Sequence, residues 1–228
     1  MPKNNQLDIY LEIGNKKVFA CAIQWPGWCR SGRDEQAAIQ TLLAYTPRYA
    51  RIVNPAGIGF PEPKTEGDFT VVERIEGNFA TSYGVPDLPI PGDSIPLNGD
   101  QVARFTKILK ACWLEFASIA QSAQGKQLRK GPRGGGRDLE EIISHVAHAE
   151  KGYLRHLGWS GEIPDEKDIN VWMTQVRGEI LNAIPMAARG QFPALGPHGG
   201  KHWPLAYFYR RIAWHVIDHA WEIEDRIV

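Results

Sequence analysis

The chain has 228 residues, of which 43% are hydrophobic, 23% charged and 10% aromatic, and its 26 basic and 26 acidic side chains give a formal net charge of zero. That composition is globular, enough for one large domain or two small ones, and it lacks the basic excess of proteins that bind nucleic-acid phosphates. No apolar run approaches the roughly 18–20 residues of a membrane span, and the start MPKNNQLDIY does not read as a signal peptide, so a cytoplasmic protein with neither membrane nor nucleic acid as partner is expected.

In LDIYLEI, the residues Leu7, Ile9, Leu11 and Ile13 alternate with Asp8, Tyr10 and Glu12, the period of a half-buried strand. After a turn at Gly14–Asn15, Phe19, Cys21, Ile23 and Trp25 alternate again, predicting a hairpin that Pro26–Gly27 ends. Ser31 with Asp34 resembles a capping box for a helix carrying Ala38, Ile39, Leu42 and Tyr45, which Pro47 should break. Cys21, Cys29 and Cys112 form neither an even framework nor a CxxC pair, and read as reduced, mostly buried thiols. From Asn54 to Gly99 proline and glycine are dense, the mark of a connector between packed units, with a further strand expected at Phe69–Ile75.

The rest reads as helices. Asp100 is the expected cap of the first, whose stripe is Val102, Phe105, Leu109, Cys112, Phe116 and Ile119. Asp138 should cap the second, which runs to about Leu157. The third spans about Lys167 to Ile184 with Pro185 as its stop, and Pro204 suits the first turn of the fourth, which carries Leu205, Ile212, Val216, Ala220 and Ile223. Amphipathic helices of this kind bury their stripes most simply in a four-helix bundle. The expected layout is an α+β unit over 1–60, a connector over 61–99 and an all-α four-helix bundle over 100–228.

All seven histidines lie in the helical part. His215 and His219 in AWHVIDHAWE are four apart, which advances about 6 Å and rotates about 40°, so both imidazoles can face one point. Taking Val146 as the centre of its stripe, His145 lies about 100° to one side, at the edge. His148 should face solvent, and His156 is about 16 Å further along the axis, too far to share an ion. Three neutral imidazoles converging from two helices would hold a divalent metal and leave a coordination position open. Glu150 falls within the apolar stripe and needs a partner: either a histidine across the bundle or an arginine or lysine of a neighbouring helix. Glu222 and, less well placed, Asp218 are acceptors for outer imidazole nitrogens, and Glu222 and Asp225 are equally placed to pair with Arg210, Arg211 or Arg226. The loop KQLRKGPRGGGRD lacks the P-loop pattern; Arg133 and Arg137 in it are candidates to hold an anionic substrate, against a plain flexible connector. His198 and His202 read as loop surface residues.

GGGRDLEEIISHVAHAEKGYLRHLG and RRIAWHVIDHAWEIEDR resemble the DinB-like superfamily, four-helix proteins that include thiol-dependent transferases and isomerases. The resemblance implies a histidine on the second helix and an HxxxH pair on the fourth as ligands, here His145, His215 and His219, with zinc or nickel and frequent homodimers. Residues 1–50, with WPGWCRSGRDEQAAI, are similar to the HicB-like antitoxin fold, from which the fold and not the role is carried over. The expected function is therefore a metal-dependent DinB-like enzyme on an electrophilic small-molecule substrate. It would transfer a low-molecular-weight thiol or hydrolyse with water. The alternative is a non-enzymatic stress-response or interaction protein, with the bundle as scaffold and the HicB-like unit binding a partner.

Overall fold

The expected hairpin is present in the computed structural model, which describes residues 6–130, 136–193, 195–196 and 200–228. Strand β1 (Leu7–Ile13) pairs antiparallel with β2 (Val18–Ala22), with Ile9 opposite Ala22 and Tyr10 opposite Cys21. The chain then adds a third strand, β3 (Cys29–Gly32), antiparallel to β2. Ser31 is therefore in a strand, and the cap of helix α1 (Glu35–Ala44) is Asp34, whose side chain accepts from the Ala37 amide. Pro47 does not end the helical region but opens a second helix, α2 (Thr46–Val53), because its missing N–H falls in the first turn, where no partner is required. Strand β4 (Phe69–Glu76) lies parallel to β1 with a bulge between Ile9 and Tyr10, giving a mixed sheet of order β3-β2-β1-β4. A short helix α3 (Phe79–Ser82) follows.

β1 is not half-buried: Tyr10 and Glu12 are covered as well as Leu7, Ile9 and Leu11. One sheet face carries Ile9, Leu11, Val18, Ala20 and Ala22 into the main core. On the other, Tyr10, Phe19, Cys21 and Cys29 meet Ile90 and Trp214. Cys21 and Cys29, opposed in the β2–β3 ladder, form a disulfide, so of the three expected reduced thiols only the buried Cys112 is free.

Long helices make up the remainder: α4 (Gly99–Ser122), α5 (Leu139–His156), α6 (Ile169–Ala188) and α7 (Leu205–Arg226). Asn98, not Asp100, caps α4, because its side chain accepts from the Gln101 amide while Gln101 reaches back to the Asn98 amide. Asp138 caps α5 as expected. Pro185 lies inside α6, which runs on for its last turn. Helix α7 packs against α4, α5 and α6, and Trp214 places it beneath the sheet. Its burial is accordingly not a stripe: 15 of its 22 residues are buried, the pattern of a central helix. One continuous core links Trp28, Tyr49 and Phe69 near the sheet to Phe105, Trp113, Val146, Trp172 and Trp221. Among the described residues no helix is long and apolar enough to cross a membrane.

Candidate metal centre

Asp138 starts α5 and so sets the rotation of the helix, which turns Ile142, Val146 and Leu154 into the core and leaves His145 half-buried at their flank. Helix α7 faces it with His215, which is 6% exposed, and with His219, whose side chain is 12% exposed. The three imidazoles meet. Their nearest ring nitrogens all lie within 4.8 Å of one another. His145 Nε2 and His215 Nε2 are 3.1 Å apart. That is close to the edge of a tetrahedron with metal–nitrogen bonds of 2.0–2.1 Å, about 3.3 Å.

The electrostatics favour the neutral form of two of these rings, His145 and His215. Burial, aided by Arg137 and His219, pushes the His145 imidazole down to about 4. Burial, aided by His219 and Arg211, pushes His215 well below its ordinary value. A neutral imidazole offers a lone pair, which a cation needs and a protonated ring cannot give. His219 Nδ1 is 2.8 Å from Glu222 Oε2, which leaves its Nε2 for the cluster. The hydrogen bond from His219 comes first among the causes that hold the Glu222 carboxyl below its usual value. The donor set thus suits a divalent ion: three ring nitrogens from two helices, one of them oriented by a carboxylate.

No known family model, curated protein or solved structure matches this chain.

Other expected site residues fall elsewhere. Glu150 does not reach the histidines: its oxygens accept from Trp113 Nε1 at 2.6 Å and Arg177 Nε at 2.9 Å. Of its two expected partners the arginine of a neighbouring helix prevails, because Glu150 is fully buried and its desolvated charge is matched by the facing cation of α6. Burial pushes its carboxyl up against the pull of Arg177. Asp218 pairs with Arg30 at 2.8 Å, and Glu222 also accepts from Arg226. Asp225 pairs with Arg48 and Arg210 with Asp93, which leaves Arg211 with no ion pair among the described residues. Arg137 is exposed, but its charge acts on His145 and His215; Arg133 and His198 lie outside the described residues. His148 is exposed beside Trp172, and His156 is exposed and stacked on Trp203 at 4.2 Å. His202 is half-buried, with Nδ1 on the Pro193 carbonyl, rather than a free surface residue.

Two aromatic neighbours were not singled out by spacing. The Tyr153 ring meets His215 edge-on at 5.5 Å, and the Arg211 guanidinium lies over Tyr153 and Trp214 at 5.0 and 4.9 Å. The available signal was that Arg211 precedes His215 by four residues, one turn back on the same side of α7.

Proposed function

We propose that His145, His215 and His219 hold one divalent metal, zinc or nickel, in a DinB-like four-helix bundle formed by α4–α7. On this reading the chain is a metal-dependent enzyme that transfers a low-molecular-weight thiol to an electrophilic small molecule, or hydrolyses it. The observation that carries the reading is the convergence of three ring nitrogens, from α5 and α7, within 4.8 Å. When bound, such an ion supplies a Lewis acid that makes thiolate or hydroxide available near neutral pH.

The chain's own groups do the rest. Glu222 fixes the His219 ring so that Nε2 faces the cluster. Tyr153 and Trp214, packed around His215, exclude water from its inner side. Arg137, exposed at the rim, contributes positive charge that attracts an anionic substrate. A donor set of three imidazoles would leave a position free for the reacting group, as a catalytic rather than a structural site requires.

Elemental analysis of freshly purified protein tests the proposal. Near-stoichiometric zinc or nickel is expected, and it should be absent from a folded His215→Ala/His219→Ala double variant. A metal-free wild type that also refuses added zinc and nickel overturns it, and leaves the scaffold reading. With metal present, conjugation of electrophiles with small thiols is the activity to assay.

A further inference from the structure

An open cavity of about 610 Å³ lies where the C-terminal end of α7 meets the start of α5. Its lining includes five cations, Lys126, Arg129, Lys130, Arg137 and Arg226, and one acidic side chain, Asp138. The Asp138 carboxylate is engaged, because it accepts from the Glu141 amide as the cap of α5. Lys126, Arg129, Lys130 and Arg137 are exposed, and among the described residues none of the four is in an ion pair. Other arginines are matched: Arg48, Arg51 and Arg74 each face a carboxylate. A chain of zero net charge therefore carries a local positive surplus in one concave place.

Hydrogen bonds hold the backbone that carries this surplus. Arg226, whose side chain is 15% exposed, ties the two basic segments together. Its Nε donates to the Arg129 carbonyl at 2.9 Å and its Nη2 to the Arg137 carbonyl at 2.8 Å, while Nη1 donates to Glu222. In return the Arg129 amide donates to the Arg226 carbonyl, and Arg129 Nη2 to the Asp225 carbonyl, both at 2.7 Å. Gly136 permits the close approach, since a Cβ there would stand 2.8 Å from Arg226 Nη2. The fold thus gathers like charges, which is unfavourable unless an anion sits among them.

We propose that this basin binds the phosphoryl group of a small molecule. Four unpaired cations lining one cavity suit a phosphate monoester, which carries about 1.5–2 negative charges at neutral pH and three acceptor oxygens, better than a singly charged carboxylate. The volume falls within the roughly 300–1,000 Å³ common for small-molecule sites. The surplus is confined to one cavity of a neutral chain, which favours a small molecule over a nucleic-acid backbone. The inference goes beyond the metal reading and does not rest on it: the cations and the Arg226 clamp are present whether or not the histidines hold an ion.

Calorimetric titration of the whole protein, freed of metal with a chelator and then desalted, tests the basin. At constant ionic strength inorganic phosphate, pyrophosphate and phenyl phosphate should bind saturably, and acetate at least about tenfold more weakly. A Lys130→Gln/Arg137→Gln double variant should lose at least about tenfold in phosphate affinity with a wild-type unfolding midpoint. Arg155→Gln, which removes an exposed cation outside the cavity, should bind as wild type does. No saturable phosphate binding, acetate bound as tightly, or an unaffected double variant would overturn the site. So would phosphate that binds only once zinc is restored, which would put the anion on the metal, or duplex DNA or anionic vesicles bound in preference to phenyl phosphate. Phosphate binding in a protein that takes up no metal would sustain the basin and sink only the metal reading.

Discussion

At the scale of single residues, two carboxylates near the histidine cluster have opposite jobs. Glu150 is fully buried and bonded to Arg177 and Trp113. Removing one partner of such a pair strands the other charge, so Glu150→Ala should cost about 3–5 kcal/mol in urea unfolding while zinc stoichiometry stays as in wild type. A variant of unchanged stability that loses metal would instead place Glu150 at the metal. Glu222 is partly exposed and its contact orients the His219 ring, so if the proposed metal is bound the cost of losing Glu222 falls on binding. Glu222→Gln should weaken zinc affinity about 10–100-fold, measured with a competing chelator, with little change in the unfolding midpoint.

At the scale of elements, close approaches set how helices lie on their neighbours. A Cβ at Gly32 would stand 2.3 Å from the Ala38 amide nitrogen and 2.4 Å from the Ala37 carbonyl carbon. Both are backbone atoms of α1, so that helix must lift from β3 if the glycine is replaced. Gly32→Ala should therefore destabilise by about 1–3 kcal/mol in chemical denaturation, the usual range for overpacking. A neutral result would mean that α1 does not rest on β3 as described. Helix α7 shows the same dependence on surroundings: sheet and helices enclose it, so His215 and Arg211 are buried where a surface helix would have exposed them.

At the scale of the whole molecule, sheet and helices share one core, with α7 as the common element. Unfolding should be a single cooperative transition, with a calorimetric to van't Hoff enthalpy ratio of about 1. Two resolved transitions would show that the sheet unit and the helices fold separately. Zinc that binds only the native state adds about 2.7 kcal/mol at 100 times its Kd. That should raise the melting temperature by about 5–10 °C for a chain of this size. The His215→Ala/His219→Ala variant should show none of that rise.

Much of this was legible in the sequence because it is local. The period of two in LDIYLEI marked β1, the period of the later segments marked the long helices, and Asp138 marked the start of α5. The HxxxH spacing and the angular position of His145 placed the three imidazoles on facing flanks, and their nitrogens do converge. Local signals were ambiguous where two residues of one type compete, as Asn98 and Asp100 did for the α4 cap, and where a proline can begin a helix as well as end one. What the chain alone determined is which side of its own helix or strand each residue occupies, since that follows from backbone periodicity. Only the tertiary structure decided what covers that side: the sheet over α7, Arg177 opposite Glu150, and, among the described residues, no ion pair for Arg211. Burial and pairing are relations between segments far apart in the chain, and periodicity within one segment carries no record of the other.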